Sequence, residues 1–315
     1  LSSPTFGRAA CKMAFQRFLT DGGETSARLG QLETPHGTIR TPIFMPVGTR
    51  ATVKGMTPAD LEELGVEILL GNTYHLELRP GIDVVAKAGG LHEFMGWPHP
   101  ILTDSGGYQV FSLATLREVT GQGVHFRSHI DGAPLFLGPR EAMDIQRRLG
   151  SDIAMAFDEC THFPCTYEEA QSSLELTLAW ARECRKQPRA EGQQVFGIVQ
   201  GALFRDLRER AAGEIAGLEF DGYAIGGLSV GEPEHDMLEV LDWTVPLLPE
   251  DQPRYLMGVG TPPQILAAIA RGVDIAPRSR LVRSQERLPV HVIGDAQAGQ
   301  PQRGRPQVDH TDQPL

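Results

Sequence analysis

The strongest constraint in this sequence is a repeat: short apolar runs, most closed by glycine or a polar side chain, each followed by a stretch with helical spacing or good helix formers. The runs are Ile43–Val47, Val66–Leu70, Ile101–Thr103, Ile153–Phe157, Val195–Val199, Tyr223–Ile225 and Tyr255–Met257, with a weaker eighth beginning at Val273. Helix-like segments between them include Pro58–Leu64, Pro139–Leu149, Tyr167–Arg185, Arg205–Ala216, His235–Leu247 and Pro263–Arg271. Thr57-Pro58-Ala59-Asp60 places an N-cap before a first-turn proline and an early acid, and Thr166-Tyr167-Glu168-Glu169 is a capping box. Apolar strands alternating with helices imply a parallel sheet with helices outside it. Seven or eight such units over about 250 residues predict an α/β fold of the (β/α)8, or TIM, barrel type. A doubly wound open sheet is the competitor, and no G-x-G-x-x-G follows an early strand to support it.

Composition narrows the class. With 41% apolar and 22% charged residues, most of the chain can bury a core. No apolar run approaches the roughly 18 residues of a membrane helix, and Leu1–Thr20 has no secretory h-region. Cys11, Cys160, Cys165 and Cys184 are too few for a disulfide scaffold and form no C-x-x-C pair, so a reducing cytoplasm is expected. A net charge of −11 argues against a general nucleic-acid coat, although seven arginines against five acids make the stretch from Arg271 onward locally basic. Residues 275–315 are rich in Arg, Gln and Pro, hold one short apolar patch at Leu288–Ile293, and read as disordered or poorly packed. The expected organisation is an N-terminal extension (1–12), a barrel (13–274) and a divergent tail (275–315).

In such a barrel, the residues just beyond each strand converge on one mouth. Here they are Asn72-Thr73-Tyr74-His75, Asp104-Ser105-Gly106-Gly107-Tyr108-Gln109, Asp158-Glu159-Cys160, Gln200-Gly201, Gly226-Gly227-Leu228 and Gly258-Val259-Gly260. Carboxylates, amides and bare backbone with few cations suit a polar, planar, neutral or cationic substrate better than a phosphate-centred one. Asp104 suits a general base or the holder of a donor group, and equally an Asx-turn or helix N-cap. Asp158 suits recognition of N–H groups on a heterocycle, and a helix cap less well, because Pro164 and the capping box at Thr166 intervene. Gln200 offers a donor and an acceptor to a base edge or to neighbouring backbone. Gly226-Gly227 allows close ligand approach or a tight turn. Tyr108 is either a stacking platform or rim core. His75 is taken as structural, and Cys160 and Cys165 as packing or pocket lining rather than half a metal site.

Taken together, these strings carry a resemblance. Thr41-Pro-Ile-Phe-Met-Pro-Val-Gly-Thr49, Leu70-Gly-Asn-Thr-Tyr-His-Leu76, Leu102-Thr-Asp-Ser-Gly-Gly-Tyr-Gln109, Phe157-Asp-Glu-Cys160, Val199-Gln-Gly201, Ala224-Ile-Gly-Gly-Leu-Ser-Val-Gly-Glu232 and Arg254-Tyr-Leu-Met-Gly-Val-Gly260 follow in register. From about Phe15 to Asp274 the chain resembles the tRNA-guanine transglycosylases, or queuine tRNA-ribosyltransferases. The resemblance implies a cytoplasmic pentosyltransferase of queuosine biosynthesis. Its partners would be a tRNA with guanine at the wobble position and a 7-deazaguanine base, with a homodimer conceivable. It matches Asp104 to the proton acceptor, Ser105, Gly106, Gly107 and Tyr108 to the base-binding loop, and Asp158, Gln200, Gly227 and Leu228 to the readers of the purine edge. Cys160 and Met257 fall among the substrate-binding positions. Cys160 and Val230 resemble the bacterial subgroup, whose incoming base is preQ1 (7-aminomethyl-7-deazaguanine). In this chemistry the target nucleotide leaves its stack, a carboxylate attacks C1′ as the base departs, and a second displacement gives retention.

One departure is abrupt. After Gly-Val-Asp the family continues with Met-Phe-Asp-Cys-Val-x-Pro-Thr-Arg on its eighth strand, and the second Asp is the nucleophile. Here Gly272-Val273-Asp274 leads into Ile275-Ala276-Pro277-Arg278-Ser279-Arg280, so Pro277 stands where the nucleophile belongs. The family's Cys-x-Cys-x-x-Cys…His zinc set is also missing, since no cysteine follows Cys184, and no cofactor is expected. The switch has the look of a frameshift or a spliced end. The expectation is therefore a barrel with its eighth strand and zinc subdomain disrupted or missing, and an inactive enzyme of this family. A non-catalytic purine- or partner-binding relative is the alternative. An unrelated metabolite-binding barrel would need a phosphate cradle or a Schiff-base lysine, and Lys54 and Lys87 lie away from the strand ends.

Overall fold

The computed structural model describes residues 15–20, 23–113 and 117–277. Among them, eight parallel segments form the barrel, and each begins where an apolar run was expected or within three residues of it. Strand one is Ile43–Met45 with Val47–Gly48, followed by Leu69–Gly71, Ile101–Thr103, Ile153–Met155, Gln194–Val199, Gly222–Ile225, Arg254–Leu256 and Ile275–Pro277. Pro46 splits the first strand. Its first half pairs with strand eight and its second half with strand two, so the ring of hydrogen-bonded neighbours closes through that interrupted strand. Side chains alternate as a sheet buried on both faces requires. Leu70, Leu102, Ile153, Met155, Phe196, Ile198, Ala224, Tyr255 and Ile275 join one buried cluster inside the barrel. Leu69, Ile101, Ala154, Val195, Val199, Tyr223, Ile225 and Leu256 join a second cluster, packed under the helices.

The helices follow the sequence reading closely. Pro139–Leu149, Tyr167–Arg185 and Arg205–Ala216 match it residue for residue. Both capping devices form: Thr57 Oγ1 accepts from Asp60 N (3.2 Å) and Asp60 from Thr57 N (2.7 Å), while Thr166 and Glu169 do the same at 3.2 and 2.8 Å. Among the described residues, no helix is long and apolar enough to cross a membrane. Two antiparallel sheets were not legible in the sequence. One is Phe15–Thr20, Arg28–Thr34 and Gly37–Thr41, and the other is Arg117–Thr120, Gly123–Arg127 and Pro134–Leu137, inserted after strand three.

The first of these sheets seals the N-terminal end of the barrel. Phe15, Leu32 and Ile39 add to the interior cluster. Arg28 reaches Asp274, which immediately precedes strand eight, through Nε (2.8 Å) and Nη2 (2.5 Å), with both side chains almost fully buried. Arg254 N also donates to that carboxylate at 2.7 Å. Removing one partner of a buried pair strands the other's charge, at about 3–5 kcal/mol. Arg28→Met is therefore expected to lower the urea-unfolding free energy by that amount, and a loss below about 1 kcal/mol would contradict the pairing.

One expectation needs correction. The eighth strand is present: Ile275, Ala276 and Pro277 pair with Ile43, Phe44 and Met45, and Ile275 also faces Tyr255 of strand seven. Pro277 keeps its register opposite Met45 of strand one. All three residues are buried. The N-terminal extension (1–12) and the remainder of the tail (278–315) lie outside the described residues.

Candidate active site

The C-terminal ends of strands two to seven bring the expected side chains together. Strand three delivers Asp104, which is 8% exposed. Its carboxylate accepts from Thr73 N (2.9 Å), Gly106 N (3.2 Å), Gln109 Nε2 (2.9 Å) and Asn72 Nδ2, while Thr73 Oγ1 donates to the Asp104 carbonyl. Asp104 makes the Asx-type contact to Gly106 N and also accepts from Asn72 and Thr73 at the exit of strand two. Burial pushes its pKa up, and these donors pull against that rise.

Strand four delivers Asp158, which is 5% exposed. Gln200 Nε2, from the end of strand five, donates to it at 2.7 Å, and Ser105 Oγ lies 3.5 Å away. Burial raises its carboxyl to about 6, and the neighbouring charge of Asp104 adds to the rise. Asp104, Ser105, Asp158 and Gln200 therefore form one buried, continuous group. Gly107 and Gly227 make room for it. A Cβ on Gly107 would stand 2.8 Å from the Asp158 carbonyl oxygen. One on Gly227, whose φ is +67°, would strike Gln200 Oε1.

The remaining expected residues are distributed around this group. Leu228 is buried, Met257 is half-buried against the barrel interior, and Gly106 is buried beside Tyr74. Tyr108 lies in the first turn of the helix Gly107–Leu113 and is 50% exposed, so it is not rim core and its ring is open to a planar partner. Cys160 is half-buried, and its thiol, raised to about 12 by burial and by Asp158, stays protonated at neutral pH. Neither Cys160 nor Cys165 belongs to any cluster of three potential metal ligands among the described residues.

Two contributors were not singled out from the sequence. Asn72 appeared only in a strand-end string, yet it braces Asp104. Arg208 is fully buried beneath the group: Nη1 donates to Val199 O (3.0 Å) and Gly226 O (2.8 Å), and Nε to Ala202 O (2.8 Å). It ties together the ends of strands five and six, which carry Gln200 and Gly227. Burial lowers it only to about 10, so it remains charged at neutral pH. The available signal was its register: Arg208 lies on the buried face shared by Ala211, Ala212 and Ile215.

Comparison with known proteins agrees with this geometry. A family profile described as queuine tRNA-ribosyltransferase matches residues 21–283. A queuine tRNA-ribosyltransferase of Pelotomaculum thermopropionicum is 61% identical over 251 residues, 80% of this chain and 68% of its own length. One from Desulforamulus reducens is 59% identical over 251 residues, again 80% of this chain and 68% of its own length. One from Halothermothrix orenii is 55% identical over 279 residues, covering 86% of this chain and 75% of its own length.

Proposed function

The chain belongs to the queuine tRNA-ribosyltransferase family, and from that premise we propose that its barrel mouth is a slot for the purine base that this family exchanges at the tRNA wobble position, guanine or preQ1. By family it is a pentosyltransferase of queuosine biosynthesis acting on tRNA with guanine at that position. Cytoplasmic location and a homodimer are parts of the same proposal.

The observation that carries the base slot is the joined group of Asp158, Gln200 and Ser105 beside Asp104. A guanine edge presents two adjacent donors, N1–H and the 2-amino group, next to the O6 acceptor. An ionised Asp158 accepts from the donors, and Gln200 Nε2 turns from Asp158 to O6, with Gly227, which packs against Gln200, and Leu228 beside it. Tyr108 stacks on the ring, and Cys160 and Met257 line the slot. Asp104, held by four donors, is the proton acceptor.

One position departs from the family's pattern within the described residues. The family resemblance puts the nucleophile at the position that Pro277 occupies on strand eight. We therefore propose that this form binds base without exchanging it, which is the non-catalytic alternative in its purine-binding version. Calorimetric titration with guanine, preQ1 and adenine tests the slot. Guanine and preQ1 are expected to bind at least about tenfold more tightly than adenine, whose edge places a donor opposite Gln200 Nε2 and leaves Asp158 short of donors. Equal affinities for the three bases would sink the assignment.

A further inference from the structure

A second cluster lies at the other end of the barrel. Asp152 precedes strand four, His36 sits in the turn joining Arg28–Thr34 to Gly37–Thr41, and His92 lies on the helix Leu91–Met95. Asp152 Oδ1 is 2.8 Å from His36 Nδ1, and Oδ2 is 3.0 Å from His92 Nε2. Each oxygen also accepts a backbone N–H, from His36 at 3.2 Å and from Ile101 at 2.8 Å. The imidazoles stack with centroids 3.6 Å apart, so both edges address one carboxylate.

The Asp152 side chain is completely buried, and among the described residues its ion-pair partners are these two imidazoles rather than an arginine or lysine. Asp274, at the same end of the barrel, is neutralised by Arg28. The ligand atoms of His36, His92 and Asp152 all lie within 4.8 Å of one another, so one ion could reach all three. We propose that His36, His92 and Asp152 form a binding site for a divalent first-row transition-metal ion. Two imidazoles and a carboxylate are borderline ligands that suit zinc or its neighbours, whereas magnesium and calcium prefer all-oxygen sets. Ligand atoms sharing a tetrahedral ion at about 2.0–2.1 Å stand about 3.3 Å apart. The present N···O separations therefore need to open by a few tenths of an ångström, and the two imidazole edges must splay. The two backbone N–H groups hold the carboxylate during that change, as outer-shell donors do in metal sites. His36, 39% exposed in its side chain, provides an entry path and an open coordination position for water. The ion would staple the turn between Arg28–Thr34 and Gly37–Thr41 to the helix Leu91–Met95 and to the start of strand four. This inference is independent of the base slot.

The experiment titrates chelator-stripped protein with ZnCl2 by calorimetry and with CoCl2 by visible absorption, then repeats both on His36→Ala and His92→Ala. The parent is expected to take up one ion per chain, and each variant to bind at least about tenfold more weakly. Zinc should raise the thermal midpoint of the parent but not of His36→Ala, whose site is accessible enough for the variant to fold. Absence of uptake, or uptake undiminished in both variants, would overturn the proposal and leave Asp152 as a hydrogen-bonded latch.

Discussion

Incubated with tRNA and resolved on a denaturing gel, this chain is expected to leave no covalent ribosyl adduct, and labelled guanine should not enter the tRNA. Exchange with retention needs two displacements at C1′, and the first needs a carboxylate to hold the ribose once the base has left. In the proposed reading, which takes the nucleophile's position from the family resemblance, that carboxylate would stand on strand eight where this chain has Pro277, whose side chain cannot attack. The neighbouring acids do not substitute for it. Asp104 is buried and spends its oxygens on Asn72, Thr73, Gly106 and Gln109. Asp158 is tied to Gln200 and is partly protonated near pH 6. Loss of a nucleophile typically costs about 10⁴-fold or more in rate. Labelled guanine in the tRNA above a protein-free control would refute the proposal. Pro277→Asp supplies the control in the other direction, since an adduct in that variant and not in the parent ties the loss to this one position.

The second large effect concerns Asp158. Asp158→Asn should weaken guanine binding by about 100-fold, because the amide offers an N–H to the purine's own donors and leaves them unpaired in a buried slot. In the parent, guanine affinity should climb as pH rises through about 6, where the carboxyl ionises, and the variant should lose that dependence. Stability moves the opposite way. Because the folded-state pKa is raised from 3.8 to about 6, the folded protein keeps a proton that the unfolded chain has already released between those values. Unfolding free energy should therefore fall as pH rises from about 4 to about 6, by up to about 3 kcal/mol. Asp158→Asn should flatten that decline and be the more stable protein at pH 7, read by urea unfolding. Unchanged guanine affinity in Asp158→Asn would remove Asp158 from base recognition altogether.

Much of this architecture was legible because it is written locally. A five-residue apolar run declares a doubly buried strand, and Thr-x-x-Glu declares a helix start. Pro277 was misread for a local reason too: its missing N–H argued against a strand, yet the barrel seats it in register opposite Met45, a partner more than 200 positions away that local reading does not see. The sheet at the N-terminal end of the barrel was missed because its strands, such as Arg28–Thr34, alternate buried with exposed or half-buried positions and lack a continuous apolar run. Arg208 was missed because an arginine on a helix reads as solvent-facing until the carbonyls of two strand ends surround it.

By itself the sequence determined the alternation of strands and helices, the barrel, and the acids and amides that exit the strands, because side-chain period and capping act over a few residues. Only tertiary structure decided what each acid does. Arg28 and Asp274 are 246 positions apart, His36 and Asp152 are 116 apart, and Asp158 and Gln200 are 42 apart. A carboxylate's charge state depends on which donors and how much water surround it. For these acids the donors arrive from distant segments, once the barrel has closed.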